Sequence, residues 1–267
     1  MDISVVITTF NRAGLVSRSI ESVINCFSST RADYEIILVD DFSTDNTVES
    51  IRHRFSNEIG GNLLSVVTNI QNRGVTYSKN AGYRIAKGKW VIFLDSDDEM
   101  IAGAGPAVFA ACNKYTKNPI IFFRCIDESG NTVGEIFPND RLIDLKLYLH
   151  KTSFGEALTA VNKVQIGHDP YIAELRGYEG LGCTRMIHEK GDAVLSVVMA
   201  RRYYRSGNDR LSSSAGFIKR MPLLAKGNFL MLHEFGTDMG LKLRMDYFVK
   251  AVIYALTGAV AKLFFKK

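Results

Sequence analysis

Apolar blocks and amphipathic stretches alternate along the first hundred residues. Residues 3–8 (Ile-Ser-Val-Val-Ile-Thr) are apolar and β-branched, the pattern of a strand covered on both faces. Residues 11–25 carry Leu15, Ile20, Val23 and Ile24 at helical spacing, which predicts an amphipathic helix. Residues 35–39 form a second apolar block, ended by Asp40 and Asp41. Ser43, Thr44, Asp45, Asn46 and Thr47 then supply N-cap chemistry for a helix reaching Phe55. Residues 64–67 predict a third strand, residues 76–86 a helix and residues 90–94 a fourth strand. Repeated strand–helix–strand units imply an α/β fold: a Rossmann-like, mainly parallel sheet flanked by helices. Ligands bind such sheets outside the carboxyl ends of the strands, which directs attention to residues 8–12, 40–42 and 95–99.

Beyond residue 100 the rhythm changes. Residues 120–127 and 133–137 flank Ser129-Gly130-Asn131, a hairpin signal. Helices are expected over 142–150 and from about 178 to 190, the second closed by Gly191, and residues 194–198 return to the sheet.

Charge adds an asymmetry. The 267 residues carry a net charge of +5, but residues 1–200 hold 20 Lys/Arg against 24 Asp/Glu and residues 201–267 hold 13 against 4. A basic C-terminal quarter calls for a polyanion or an anionic membrane surface. The N-terminal stretch lacks a basic leader and reads as a strand rather than a secretory signal. Cys26, Cys112, Cys125 and Cys183 form no CxxC, so they read as reduced core thiols, in keeping with the cytoplasm. The five histidines are scattered and match no metal motif.

The candidate chemistry gathers after the fourth strand. Asp95-Ser96-Asp97-Asp98-Glu99 puts four acids into five positions, whose mutual repulsion is relieved by a cation or by solvent. An Asp-x-Asp at a strand end suits Mg²⁺ or Mn²⁺ bridging to a diphosphate; a solvated acidic turn capping the next helix is the plainer alternative.

Residues 3–100 resemble the inverting family 2 glycosyltransferases with the GT-A fold. The likeness rests on four ordered stretches: Val5-Val6-Ile7-Thr8-Thr9-Phe10-Asn11-Arg12, Ile37-Leu38-Val39-Asp40-Asp41-Phe42-Ser43-Thr44-Asp45, Asn72-Arg73-Gly74 with Ser78-Lys79-Asn80-Ala81-Gly82, and Phe93-Leu94-Asp95-Ser96-Asp97-Asp98. It weakens toward residue 215 and is absent beyond. The resemblance implies that Thr8, Phe10 and Arg12 hold the base and ribose and that Asp41 accepts from a uracil N–H. Phe42 stands where the family usually has Gly, and Lys79 where it often has Arg, facing either the diphosphate or Asp95. Asp95, with Ser96, resembles the ribose contact; Asp97, assisted by Asp95, resembles the metal ligand for Mn²⁺ or Mg²⁺; Asp98 is expected to face sugar or solvent.

An inverting displacement also needs a carboxylate to take the acceptor's proton. In the sequences this chain resembles, that base is the second acid of an acidic pair opening a helix, with an Arg two turns later. Residues 177–186 fit that slot, and counting back from Arg185 the resemblance implies Glu179 as the base, with Tyr178 replacing the usual first acid; Glu174 and Asp192 are rivals, and a capping glutamate on a surface helix is the plain reading. Residues 201–210 resemble the basic loop that closes over the donor. Arg205 and Arg210 are candidate diphosphate contacts, and Asn208, Asp209 or water would stand in for a missing His ligand. Interleaved basic and aromatic residues there also allow a nucleic-acid patch, but nucleic acid is not the expected partner.

In residues 241–267, Leu241, Met245, Phe248, Val252, Leu256, Val260 and Phe264 recur at helical spacing, away from Lys242, Asp246, Lys250 and Lys262. The uncharged run 251–261 is far short of the ~20 residues a spanning helix needs. An amphipathic helix on an anionic membrane fits, and packing on the body or in a homodimer are the alternatives.

The expected organisation is a GT-A domain over 1–215, with a nucleotide-binding half (1–100) and an acceptor-binding half (101–215), and a membrane-associating helical tail over 216–267. The resemblance implies transfer of a sugar from a UDP-sugar to a polyprenyl-diphosphate-linked glycan in bacterial surface polysaccharide or O-antigen synthesis, peripherally at the cytoplasmic face of the inner membrane. A nucleotidyltransferase would want a Gly-rich basic first loop, which residues 8–14 lack, and residues 82–89 miss the phosphate-binding loop because Trp90 replaces its Ser/Thr. A non-catalytic sugar-binding protein would not need Asp95, Asp97 and Glu179 together.

Overall fold

A computed structural model describes residues 1–150, 155–204 and 214–264. The first half runs β1 (Ile3–Thr9), α1 (Ala13–Phe27), β2 (Tyr34–Asp40), α2 (Thr47–Arg54), α3 (Ser56–Gly60), β3 (Leu64–Thr68), α4 (Val75–Ile85) and β4 (Trp90–Asp95). β5 (Glu99–Met100), α5 (Gly105–Lys114), β6 (Ile120–Ile126), β7 (Thr132–Val133), β8 (Arg141–Ile143) and α6 (Leu145–His150) follow. The chain then forms β9 (Ala157–Asn162), α7 (Glu179–Lys190), β10 (Ala193–Arg202), α8 (Ser214–Phe235), a 3₁₀ turn (Gly236–Asp238) and α9 (Leu241–Phe264).

Among the described residues the strands make one sheet, in the order β3-β2-β1-β4-β9-β6-β10-β5, with β7 on β6 and β8 on β10. β3, β2, β1 and β4 are mutually parallel; β9 runs against both β4 and β6; β10 is parallel to β6. The apolar blocks are continuous because both faces are covered. Ile3, Val5, Ile7, Ile36 and Leu38 pack with α1, α2 and α5, whereas Val6, Ile37 and Val39 pack with α4 and α7.

Some expectations shift. The helix drawn from residue 11 begins at Ala13, because Asn11 takes a positive φ of 51°. The stretch 142–150 splits into β8 and the short α6, since residues 141–143 pair with β10. The four thiols are free and buried, and desolvation pushes Cys26 and Cys183 up to about 12.

α8 and α9 form a hairpin in which Gly258 abuts the ring of Pro222. The hairpin also shares a core with the body: Met231, Phe235 and Met239 pack with Leu149 of α6, with Leu175 in the segment before α7 and with Leu181 of α7. α9 has two apolar faces. Leu243, Tyr247, Ala251, Tyr254 and Gly258 are buried or half-buried, whereas Leu241, Met245, Phe248 and Leu256 of the stripe singled out in the sequence point outward, Leu241 76% and Leu256 64% exposed, and Val252 is half-buried.

Candidate active site

Parallel pairing puts the carboxyl ends of β1, β2 and β4 on one edge. Thr8 sits opposite Asp95 and Thr9 opposite Asp40. Phe10 and Phe42 leave these ends as exposed rings. Phe42 has a positive φ of 67°, which explains why Gly suits the position and why a side chain there is strained. Asp41 is buried and its carboxylate accepts from Asn69 Nδ2 at 2.8 Å, Arg73 N at 2.9 Å and Gly74 N at 2.6 Å. It therefore holds the loop that opens α4. Gly74 has φ 90°, and a Cβ there would lie 2.5 Å from the Arg176 guanidinium.

The acidic turn is pinned from several sides. Arg12 Nη1 lies 3.3 Å from Asp97 Oδ1 and donates to Ser96 Oγ at 3.2 Å. Arg18 pairs with Glu99 at 2.7 Å and donates to the Asp97 carbonyl at 3.0 Å. Asp98 was expected to face sugar or solvent, and the structure corrects this. It is 1% exposed, lies 3.2 Å from Arg201 Nη1 and accepts the Tyr204 N–H at 3.1 Å. Burial pushes its carboxyl up to about 7 against the pull of Arg201. Arg201, expected to open a basic loop, is the buried end of β10, bonded also to Glu156 at 3.1 Å and Cys125 Sγ at 3.1 Å. The strand continues where a loop was read because residues 201 and 202 pair with β5. Arg205, Asn208 and Arg210 lie outside the described residues.

The stretch Ser78–Gly82 divides several tasks within α4. Gly82 lets the helix touch the sheet, since a Cβ would lie 2.5 Å from Val6 Cγ1. Ser78 accepts from Asn69 at 2.9 Å. Asn80 donates to the Tyr171 carbonyl at 2.7 Å and accepts its N–H at 3.2 Å, while Thr76 donates to the Ala173 carbonyl at 2.8 Å. These bonds fasten the segment that leads into α7. Gly182 lets α7 settle on that segment, because a Cβ there would lie 2.2 Å from the Pro170 carbonyl.

α7 consequently delivers Glu179, its first residue, to the tip of Lys79. The ammonium is 3.2 Å from Asp95 Oδ1 and 3.3 Å from Glu179 Oε1. Burial works against the Lys79 charge, but Asp95 and Glu179 outweigh it and hold the proton more tightly than usual. Partial desolvation of Asp95 is likewise overcome by Lys79, Arg201 and Arg12, which keep its carboxyl below the ordinary range. Of the rival acids, Asp192 precedes the first residue of β10 at the opposite edge of the sheet, and Glu174 is exposed in the segment before α7.

The structure thus brings Thr8, Phe10, Arg12, Asp41, Lys79, Asp95, Ser96, Asp97 and Glu179 to one edge. What the sequence did not reveal is a cavity of about 650 Å³ beside Glu179, walled by Tyr148, Tyr178, Asn228, Tyr247 and Tyr254. The i, i+7 spacing of Tyr247 and Tyr254, on the opposite face from the apolar stripe, was the available signal.

The chain superposes over its full length on 76% of Staphylococcus aureus TarS 1-349 in complex with UDP-GlcNAc, with a TM-score of 0.72 and 16% identity. A mannosyltransferase from Pyrobaculum calidifontis, PcManGT, in complex with GDP-Man and Mn²⁺, matches 97% of this chain and 73% of its own at a TM-score of 0.66 and 17% identity. Both show the same fold. In sequence, the GalNAc(5)-diNAcBac-PP-undecaprenol beta-1,3-glucosyltransferase of Campylobacter jejuni is 26% identical over 217 residues, 79% of this chain and 68% of that one. Other curated relatives are 32% to 38% identical, but the chain spans only 15% to 29% of their length. The family model described as glycosyl transferase family 2 matches residues 4–141, more than half of the chain and the stretch that holds Asp41, Lys79 and the acidic turn. By this match the chain belongs to glycosyl transferase family 2.

Proposed function

We propose that the chain transfers a sugar from a UDP-sugar to a glycan acceptor with inversion at the anomeric carbon. The observation that carries this reading is the single ammonium of Lys79 shared by Asp95 and Glu179, which ties the strand-end acid to the acid at the start of α7. Thr8, Phe10, Arg12, Asp41 and Ser96 hold the nucleoside. Glu179 takes the proton from the acceptor hydroxyl, whose oxygen bonds to the anomeric carbon as the bond to the diphosphate breaks. Charge develops on the departing diphosphate, and Lys79 and Arg12 are the cations placed to meet it.

Asp95 and Asp97 would hold Mn²⁺ or Mg²⁺. Two carboxylates with diphosphate oxygens and water make the hard-oxygen set such ions take, and among the described residues no three His, Cys, Asp or Glu form a complete site by themselves. When bound, the ion supplies Lewis-acid neutralisation of the leaving diphosphate.

A panel of UDP-, GDP- and dTDP-sugars, with and without Mn²⁺, tests the reading. UDP release from one UDP-sugar is expected, abolished by EDTA and restored by Mn²⁺. Release of pyrophosphate instead would identify a nucleotidyltransferase. Binding without turnover would identify a sugar-binding protein.

The acceptor proposed is a polyprenyl-diphosphate-linked glycan of bacterial surface polysaccharide, used at the cytoplasmic face of the inner membrane. The Campylobacter relative, a PP-undecaprenol glucosyltransferase by name, supports this. No helix among the described residues is long and apolar enough to cross a membrane. The exposed Leu241, Met245, Phe248 and Leu256 of α9, with basic residues elsewhere on the helix, instead suit contact with an anionic bilayer surface. Replacing Phe248 and Leu256 together by Asp is expected to abolish sedimentation with phosphatidylglycerol-containing vesicles while leaving the hairpin folded. Undiminished sedimentation would reject the membrane reading, and a concentration-dependent dimer lost in the variant would assign the stripe to a second copy.

A further inference from the structure

The cavity beside Glu179 has a different character from the cleft that holds the acidic turn. Its walls come from both the body and the C-terminal hairpin: Tyr148 from α6, Tyr178 and Glu179 from the start of α7, Asn228 from α8, and Tyr247 and Tyr254 from α9. A volume of about 650 Å³ falls within the range that small ligands occupy. Among the described residues Asp95, Asp97, Lys79 and Arg12 do not line it, while the Arg220 guanidinium of α8 lies against Gly177 at its Glu179 end. Among the described residues the other charged ones on the lining are Asp246 and Lys250, exposed on α9 and paired with each other at 2.6 Å. The interior combines aromatic rings with the apolar side chains of Leu149, Leu181, Leu224, Met231 and Leu243 and a few polar groups, Thr159, Thr184 and Asn228, of which Thr184 donates to the Gly180 carbonyl and Asn228 to the Leu224 carbonyl.

That combination is suited to a neutral carbohydrate. Sugar rings present C–H faces that lie against aromatic rings and hydroxyls that need hydrogen-bonding partners at the edges. Several rings are held firmly. Tyr148 stacks on Phe122 at 5.8 Å with planes 9° apart, and Phe217 meets Tyr254 edge-on at 5.7 Å. The Tyr178 ring lies against Gly227 of α8, where a Cβ would come within 2.7 Å of it. Tyr178 thus ties the hairpin to the first turn of α7, a structural reason for an aromatic ring in place of an acid at this position.

We propose that the C-terminal hairpin completes the acceptor site: a sugar ring of the acceptor glycan lies among Tyr178, Tyr247 and Tyr254, with its reacting hydroxyl turned toward Glu179. This rests on the glycosyltransferase reading above and extends it, because α8 and α9 then select the acceptor in addition to any surface they dock on. The family model ends at residue 141, and the walls supplied by α8 and α9 lie wholly outside it.

Saturation-transfer NMR on the full chain, with UDP present and a panel of methyl hexopyranosides and N-acetylhexosaminides as probes, tests the proposal. At least one glycoside is expected to receive saturation. Tyr247→Ala and Tyr254→Ala are each expected to reduce that signal about fivefold, the loss of one aromatic contact. Tyr254→Phe should retain it, and the UDP signal should stay constant in all three. Circular dichroism melts identify the variants that remain folded, and Tyr254→Phe gives a comparison that keeps the ring. Glycoside signals absent from the wild type, or unchanged in folded Ala variants, overturn the proposal. Loss of the UDP signal in the wild type would instead overturn the donor reading on which it rests.

Discussion

Glu179→Gln is expected to lower sugar transfer by about 10²- to 10⁴-fold, the range attributable to a positioned general base. The amide matches the carboxylate in size, so the residues that lead into α7 keep their places and Glu179 itself, half-buried, tolerates the change. What disappears is the capacity to accept a proton. The Asp95 end of the Lys79 bridge survives, and nucleotide affinity measured by calorimetry with UDP is expected to change by less than about threefold, an effect under about 0.7 kcal/mol. The rivals separate cleanly. Glu174→Gln alters an exposed side chain, and Asp192→Asn alters one at the far edge of the sheet, so both should leave turnover close to that of the unmodified chain. Near-normal turnover in Glu179→Gln would remove it from the role of base. Loss of UDP affinity together with turnover would show that its contact with Lys79 organises the donor side instead.

The strands of the first hundred residues were legible because each carries a run of apolar residues, and a block such as residues 3–8 has few other ways to fold. The cluster of Asp41, Asp95 and Asp97 followed from the rule that parallel strands present their carboxyl ends together. Glu179 was reachable only by counting from Arg185, because the bonds that bring it to Lys79 are made by Asn80 and Thr76 across about ninety residues of chain. Asp98 was misread because spacing cannot distinguish acids in an acidic run. Asp97 meets Arg12 at the edge while its neighbour turns inward to Arg201, and nothing in Asp95–Glu99 marks that turn. Leu241, Met245, Phe248 and Leu256 of the stripe on α9 are exposed, but they make only one of two faces. The second face carries Tyr247 and Tyr254, whose hydroxyls make them look surface-directed in a pattern of apolar and polar positions.

Arg201→Met should be the most damaging single change to stability. It leaves Asp98 almost fully buried with the Tyr204 N–H as its remaining partner, and breaking a buried pair from one side costs about 3–5 kcal/mol. Glu156, the other partner of Arg201, is 49% exposed and can turn to solvent, so the cost falls on Asp98. The pH dependence has a definite sign. Burial holds the folded Asp98 carboxyl at about 7, above its ordinary value of 3.8, so the folded state binds a proton that the unfolded state has released. Between those values stability falls as pH rises. Without Arg201 the folded value climbs further, and the penalty continues to grow above neutrality. Denaturant titrations should therefore find Arg201→Met closer to the unmodified chain at pH 5 than at pH 8. Adding Asp98→Leu should recover part of the loss at pH 8, because the stranded charge is removed and an apolar group fills its place. A loss equal at both pH values and unaffected by Asp98→Leu would mean that Arg201 acts through packing and its contact with Cys125. If the charge account is right, the double variant should also retain more UDP affinity than Arg201→Met, because the Asp98 N–H bonded to the Asp95 carbonyl at 3.1 Å and its own carbonyl accepting from Ser19 at 2.7 Å are what hold the acidic turn in register.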